Sequence, residues 1–217
     1  MKIKENSVVV FDLDDTLYKE IDFLKSAYQE IAFKINPSLK DKIFEDMMTS
    51  YFLRNNVFEE VILKYQSTLT KEELLLTYRN HFPKIQLSEN VEYILKQLKK
   101  NKIIIGLITD GRSITQRNKI KSLGIEPYLD DVIISEEFGS EKPNMNNYLY
   151  YQKKYSQKDF FYYIGDNLKK DFISPNKLKW ITLGLIDDGN NIHKQDLTLN
   201  KLFHPSYFIN NFKEVTF

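Results

Sequence analysis

The hydrophobic pattern of the chain changes from strand-like to helical shortly after its start. Residues 8–11 form a continuous apolar run, Val-Val-Val-Phe, which predicts a strand that is buried on both faces, as in a parallel sheet. From about Ile21 to Phe82 apolar residues recur every three or four positions, and no strand candidate appears. The pattern therefore predicts about four helices inserted after the first strand.

Beyond Pro83, strand-like and helical segments alternate. Four further strands are predicted, at residues 103–108, 132–135, 160–164 and 180–186. Such alternation predicts an α/β fold: a doubly wound, Rossmann-like parallel sheet with right-handed crossovers. We therefore expect a Rossmann-like core of residues 1–18 and 84–217, interrupted by an inserted α-helical domain of residues 19–83.

Several helix boundaries carry sequence signals. We expect Ser38, Thr70 and Ser88 to be N-caps, because their side-chain oxygens can accept hydrogen bonds from the free N–H groups of a first turn. Thr70 and Glu73 together have the spacing of a capping box. Pro143 is expected in the first turn of a later helix, where its missing N–H costs nothing.

Composition narrows the possible chemistry. The 217 residues include no cysteine, which excludes disulfides, thiolate zinc sites and cysteine nucleophiles. A net charge of +1 provides no basic surface for nucleic acid, and three scattered histidines argue against a histidine metal site or triad. No stretch approaches the ~18 apolar residues that span a bilayer, and Asp12 interrupts the early apolar run. We expect a cytoplasmic protein with no nucleic-acid or membrane partner; its oligomeric state is left open.

Polar residues follow three of the predicted strands at their carboxyl ends. These residues are Asp12 and Asp14, then Thr109 and Asp110, then Asp166. In open α/β sheets the ligand lies beyond this edge, and carboxylates gathered there repel one another unless a cation holds them. Because all these donors are oxygens, a hard ion such as Mg²⁺ is the expected metal, and it would also attract phosphate.

Four motifs, in order along the chain, resemble those of the haloacid dehalogenase superfamily. They are D-x-D-x-T at residues 12–16, Thr109 after the second strand, Lys142 before Pro143, and the acidic pair Asp166 and Asp171 after Gly165. A single motif of this kind is weak support, whereas four in the right order and strand contexts cover the whole predicted core. The resemblance is to the phosphatase-type subfamily with a helical cap after the first motif.

The resemblance implies a phosphatase that works through an aspartyl-phosphate on Asp12. Asp14 would protonate the leaving alcohol and then activate the water that hydrolyses the intermediate. Dehalogenases and phosphonate hydrolases of the superfamily lack this second acid, so Asp14 favours phosphate esters. The implied substrate is a small phosphorylated metabolite.

The other motif residues have implied supporting roles. Thr109 and the amides of Asp110 and Gly111 would hold the phosphoryl oxygens, and Lys142 would neutralise the charge at the transferring group. Asp171 would support the metal or merely cap the helix that follows it. The implied metal set for the Mg²⁺ cofactor is Asp12, Asp14 (through its backbone carbonyl), Asp166 and Asp171.

The residue pattern is also compatible with other functions. A phosphomutase would use the same core but return the phosphoryl group to the substrate. A signalling receiver domain also has acidic residues, a threonine and a lysine around a parallel sheet, but it lacks a helical insert. A catalytically inactive relative could serve as a binding module, although all the expected catalytic residue types are present. Asp15 is expected to be a solvated or structural turn residue, and Arg112 either contacts substrate phosphate or covers the surface.

Overall fold

The computed structural model describes all 217 residues and contains one six-stranded sheet. Its strands are β1 (Ser7–Phe11), β2 (Ile104–Thr109), β3 (Asp131–Ile134), β4 (Phe160–Gly165), β5 (Ile181–Leu185) and β6 (Tyr207–Ile209). Their order across the sheet is β3-β2-β1-β4-β5-β6, and every neighbouring pair is parallel. The predicted Rossmann-like α/β fold is confirmed.

Nine α-helices accompany the sheet, together with three short 3₁₀ helices at residues 126–128, 201–203 and 212–214. The helices are α1 (Glu20–Ile35), α2 (Lys40–Phe52), α3 (Val57–Tyr65), α4 (Lys71–Asn80), α5 (Glu89–Lys100), α6 (Ser113–Ser122), α7 (Ser135–Phe138), α8 (Met145–Lys154) and α9 (Ile173–Lys177). The first four follow β1 directly, as predicted. None of the helices is both long and apolar enough to cross a membrane.

Strand β1 lies in the middle of the sheet and is buried on both faces. Because successive side chains of a strand point to opposite faces, Val8 and Val10 join the cluster that contains Tyr148, whereas Val9 and Phe11 join the larger cluster on the other face. All five residues of β1 are inaccessible to solvent. The apolar run at residues 8–11 therefore has the structural role that the sequence predicted.

Helices α1 to α4 build a hydrophobic cluster of their own. Its buried members are Leu24, Tyr28, Ile31, Ala32, Ile43, Met47, Val57, Val61 and Leu74. Phe23, near the start of α1, belongs instead to the larger cluster beside the sheet. The four-helix insert thus has a separate apolar core, and Phe23 and Tyr78 bring it into contact with the main one.

Two of the four predictions for the starts of helices are confirmed, and two are wrong. Thr70 and Glu73 form the predicted capping box, and the Ser88 side chain accepts from the backbone N–H of Val91. Ser38 as an N-cap is wrong, because Asn36 accepts the Ser38 N–H in a turn and α2 begins two residues later. Pro143 in a first turn is also wrong, because the preceding Lys142 N–H is held in a loop by Asp110, and the helix starts only at Met145.

Candidate active site

A small cavity lies beyond the carboxyl ends of β1, β2 and β4. It encloses about 140 Å³, and none of its eleven lining residues is hydrophobic. The lining residues are Asp12, Asp14, Asp15, Glu20, Thr109, Asp110, Lys142, Asp166, Asn167, Lys170 and His193. The residues that the sequence placed after three separate strands therefore meet at one edge of the sheet.

Lys142 lies inside the site and joins two aspartates. Its Nζ is 2.6 Å from Oδ1 of Asp12 and 2.8 Å from Oδ1 of Asp171, and all three side chains are less than a tenth exposed. Burial lowers the pKa of Lys142, but the charges of Asp12 and Asp171 outweigh it and raise this pKa well above its ordinary value. The lysine is thus a fixed positive charge that leaves Oδ2 of Asp12 free of protein hydrogen bonds.

Asp171 lies behind the cavity and is fully buried. Its Oδ1 also accepts from the Tyr163 hydroxyl at 3.0 Å, and its Oδ2 accepts from the backbone N–H of Asn167 at 2.8 Å. It caps no helix, since Phe172 is the N-cap of α9, so that alternative is wrong. A Cβ at Gly165 would overlap the Asp171 carboxylate, which explains why glycine precedes Asp166 in the fourth motif.

Three buried carboxylates form a cluster that can hold a metal ion. Oxygen atoms of Asp12, Asp166 and Asp171 all lie within 4.8 Å of one another. Burial raises the pKa of Asp166 to about 9, and the charges of Asp12 and Asp171 contribute to the rise. Burial likewise raises the pKa of Asp12 to about 8, although Lys142 opposes it. Three buried carboxylates that are costly to ionise without a counter-charge, and that offer only oxygen donors, fit a hard divalent cation.

Asp14 is held by a set of side chains that the sequence did not single out. Lys119 Nζ is 2.7 Å from its Oδ1, Gln116 Nε2 donates to its Oδ2 at 2.9 Å, and the Tyr18 hydroxyl donates to Oδ1. Burial alone would raise the pKa of Asp14, but Lys119 and these hydrogen bonds lower it below its usual value. In this structure, therefore, Asp14 is ionised and fixed in place.

One sequence signal could have revealed this set. Gln116 and Lys119 share a face of α6 with Ile120, at the i, i+3, i+4 spacing of a buried stripe. All three are buried, although two are polar. Lys119 also lies 4.5 Å from the centre of the Phe23 ring of α1. A lysine and a glutamine on the inward face of a short helix point to a polar partner inside the fold.

The second motif is only partly exposed to the cavity. Thr109 and Asp110 line it, and the Asp110 carboxylate accepts from the Lys142 N–H at 2.9 Å and from Lys170 Nζ at 3.0 Å. Gly111 does not line it, and its N–H donates to Ser135 Oγ at 2.9 Å. The phosphate-binding role of these residues stays a prediction. Arg112 is exposed and pairs with Glu136 at the surface.

Asp15 and the segment after β5 complete the site. Asp15 is buried with a positive φ of 56°, so it is a structural residue and not a solvated one. Its Oδ1 accepts from the Glu20 N–H and its Oδ2 from the Ile192 N–H, both at 2.9 Å. Residues 186–200, which bring His193 to the cavity, have no regular structure. They carry no hydrophobic period from which the sequence could have placed them.

Residues 9–183 match the family described as haloacid dehalogenase-like hydrolase, so the chain belongs to that family. The phosphatase-type assignment that the four motifs predicted is confirmed. The chain is 31% identical over 226 residues to the glyceraldehyde 3-phosphate phosphatase of Methanocaldococcus jannaschii, covering 95% of this chain and 98% of that one. It is 27% identical to human N-acylneuraminate-9-phosphatase over 173 residues, 69% of each chain.

Solved structures of the same fold include the Bacillus subtilis HAD-hydrolase YfnB, whose structure is described as bound to magnesium and as revealing interdomain movement. It superimposes with a TM-score of 0.63 at 19% identity and covers 97% of both chains. This likeness extends over the sheet and the helical insert alike, and it supports the fold described above.

Proposed function

We propose that this protein is a Mg²⁺-dependent phosphomonoesterase that hydrolyses a small polar metabolite phosphate through an aspartyl-phosphate on Asp12. The observation that carries the proposal is the Asp12 carboxylate itself. It faces a cavity without hydrophobic residues, one oxygen is fixed by Lys142 at 2.6 Å, and the other oxygen accepts no hydrogen bond from the protein. A carboxylate held in this way is suited to attack a phosphorus atom brought into the cavity.

In the first half-reaction, Oδ2 of Asp12 forms a bond to phosphorus while the bond to the ester oxygen breaks. Lys142 stabilises the negative charge spread over the transferring group. The leaving alcohol takes a proton from Asp14. Since Lys119 lowers the pKa of Asp14 in the present structure, Asp14 acquires that proton only when a substrate changes its contacts.

In the second half-reaction, Asp14 removes a proton from water, and the resulting hydroxide attacks the phosphorus of the aspartyl-phosphate. The bond between phosphorus and Asp12 then breaks, which regenerates the carboxylate and releases inorganic phosphate. Asp12 and Asp166, with Asp171 behind them, would hold a divalent cation, which would supply positive charge to offset the carboxylates and the phosphoryl group. The atoms balance as ester plus water giving alcohol plus phosphate.

The helical insert, residues 19–83, acts as a cap in this proposal. Polar contacts join it to α6: Thr115 donates to the Arg79 carbonyl at 2.8 Å, and Asn118 donates to the Asn80 carbonyl at 3.1 Å. Such contacts can be exchanged with water at lower cost than an apolar interface. The two crossings, near residues 18–21 and 83–88, are the hinges on which the cap would close and exclude water.

Substrate size follows from the cavity. A volume of about 140 Å³ is well below the ~300–1,000 Å³ of pockets for drug-sized ligands, and the absence of apolar lining favours a hydroxylated molecule. Glu20, the first residue of α1, is the cap side chain that reaches the cavity. The relative that aligns over almost its whole length acts, by its name, on glyceraldehyde 3-phosphate. A triose phosphate is therefore the substrate we propose.

The test is a panel of phosphate esters assayed for phosphate release with Mg²⁺, with Asp12→Asn as the blank. We expect the highest kcat/KM for three-carbon phosphates such as glyceraldehyde 3-phosphate, and lower values for hexose and nine-carbon sugar-acid phosphates. Isomerisation of the substrate without phosphate release would identify a mutase. Uptake of a single phosphoryl group without turnover would identify a receiver-like module. Either result would overturn the proposal.

A further inference from the structure

The side chain of Asn191 lies between the first cap hinge and the proposed metal site. Asn191 belongs to the segment after β5, is only 3% exposed, and donates through Nδ2 to Oδ2 of Asp166 at 2.8 Å. Its Oδ1 accepts from Lys19 Nζ at 2.7 Å, and Lys19 directly precedes α1. One amide group thus joins the chain crossing into the cap to a carboxylate of the acidic cluster.

The two neighbours fix the orientation of this amide. A lysine ammonium can only donate hydrogen bonds, so it must face the carbonyl oxygen of Asn191. The Asp166 carboxylate accepts from the NH₂ group, and once a cation binds it is ionised and can only accept. Lys19 and Asp166 therefore favour the same orientation, and the flipped amide would place its NH₂ group against the lysine.

The backbone around Asn191 is also held. Its N–H donates to Oδ1 of Asp187 at 3.1 Å, and the next N–H, that of Ile192, donates to Asp15. Gln195 donates to the backbone carbonyl of Asp166 at 2.6 Å. This loop, which contains no helix or strand, is thus attached to the loops that carry Asp15 and Asp166. These attachments keep the Asn191 side chain next to the Asp166 carboxylate.

We infer that Asn191 is a positioning residue that turns the Asp166 carboxylate toward a bound cation, and that Lys19 holds Asn191 in the orientation this requires. The inference rests on the proposed function, because it assumes a Mg²⁺ site at Asp12 and Asp166. Because Oδ2 of Asp166 is bound to the amide, Oδ1 is the oxygen left to ligate the ion. The one protein contact to this Oδ1 is a long one of 3.4 Å from the Thr16 hydroxyl. Partners of this kind typically change metal affinity by about 10–100-fold when removed.

The test measures Mg²⁺ affinity without reference to catalysis, from the rise of Tm with Mg²⁺ concentration in substrate-free protein. Asn191→Ala should weaken Mg²⁺ binding by about 10–100-fold. Because Asp166 itself remains, saturating Mg²⁺ should restore kcat to within about threefold of wild type, so the defect is one of metal affinity. Lys194→Met is the matched control. That lysine lies in the same segment but binds Asp187 and the Gly189 carbonyl, so its loss should leave the affinity unchanged.

Lys19→Met tests the second link. It should weaken Mg²⁺ binding by less than Asn191→Ala does, and the double variant should be no weaker than Asn191→Ala alone, because both act through one amide. Unchanged Mg²⁺ affinity in Asn191→Ala, with only a lower Tm, would overturn the inference, and additive losses in the double variant would remove Lys19 from it. If wild-type protein shows no Mg²⁺-dependent rise in Tm, the proposed metal site itself fails, which is a separate result.

Discussion

The carboxyl edge of the sheet and the helical insert are stabilised by different kinds of contact. At the sheet edge, buried charges face one another directly, as in the pairs of Lys142 with Asp12 and Lys119 with Asp14. In the insert, an apolar cluster that includes Tyr28 and Met47 holds four helices together, and ion pairs such as Lys42 with Asp46 and Lys71 with Glu59 lie at its surface. The two regions therefore differ in what a substitution would disturb.

This difference indicates how strictly each region constrains its side chains. Removing one partner of a buried ion pair is strongly destabilising, because the other charge is left uncompensated. An apolar cluster tolerates changes that conserve volume at a cost of less than about 1.5 kcal/mol. The proposed reacting groups thus lie in the region with the stricter geometry, whereas the proposed cap can vary more in sequence and keep its fold. The cap would set the choice of substrate and the sheet edge would set the reaction.

The largest effect is expected at the nucleophile. Asp12→Asn keeps the shape of the side chain but removes the attacking carboxylate, so turnover should fall to the uncatalysed background. The variant should remain folded, since Lys142 keeps its bond to Asp171. Phosphate release and Tm are the measurements. Asp41→Asn, at an exposed position on α2, is the matched control and should behave as wild type; substantial turnover by Asp12→Asn would contradict the mechanism.

A smaller loss is expected for the proton-transfer group. Asp14→Asn keeps the nucleophile but removes the group that donates and accepts the proton. We therefore expect kcat to fall by ~10²–10⁴-fold. With an aryl phosphate, whose leaving group needs little protonation, formation of the intermediate should suffer less than its hydrolysis. Pre-steady-state release of the aryl alcohol measures the first step. Equal slowing of both steps would argue against this role for Asp14.

Metal removal should change how stability depends on pH. Burial raises the pKa values of Asp12 and Asp166 to about 8 and about 9, whereas unfolded aspartate titrates near ~3.9. The folded protein therefore binds more protons than the unfolded one in this window, and metal-free stability should fall as pH rises from about 4 toward 9. Mg²⁺ should reduce this fall. The measurement is Tm between about pH 4 and pH 9, once with chelator and once with Mg²⁺. A metal-free Tm that rises with pH would contradict the raised pKa values of Asp12 and Asp166.

The smallest effect is expected on the cap side. Burial and the charge of Asp14 raise the pKa of Glu20 to about 8, so near neutral pH it can both donate to and accept from a substrate hydroxyl. Glu20→Ala should lower kcat/KM for a triose phosphate by about 2–10-fold, as expected for one lost hydrogen bond, and should affect an aryl phosphate less. Asp22→Ala, exposed in the same helical turn, is the control. An equal loss on both substrates would remove Glu20 from substrate selection.

Much of the sheet edge could be predicted from the sequence because its residues directly follow buried strands. Asp12, Thr109 and Asp166 each end an apolar run, and parallel strands bring their carboxyl ends together. The two prominent residues that were missed reach the site differently. Lys119 pairs with a residue 105 positions away, and Asn191 lies in a loop without any hydrophobic period. The spacing of Lys119 on α6 indicates a polar partner inside the fold, but local pattern does not identify the partner of either residue, since only the folded chain brings the pairs together.

The central claim is that the phosphoryl group is carried by Asp12, and acid quench during turnover tests it most directly. Asp14→Asn protein mixed with Mg²⁺ and an aryl phosphate should accumulate a phosphorylated enzyme, because hydrolysis of the intermediate is slowed more than its formation. Peptide mapping by mass spectrometry under acidic conditions should locate the phosphate on the peptide that contains Asp12. In the double variant that also carries Asp12→Asn, no phosphorylated peptide should appear. Phosphate found on Asp15 or any other residue, or phosphorylation that persists without Asp12, would contradict the account.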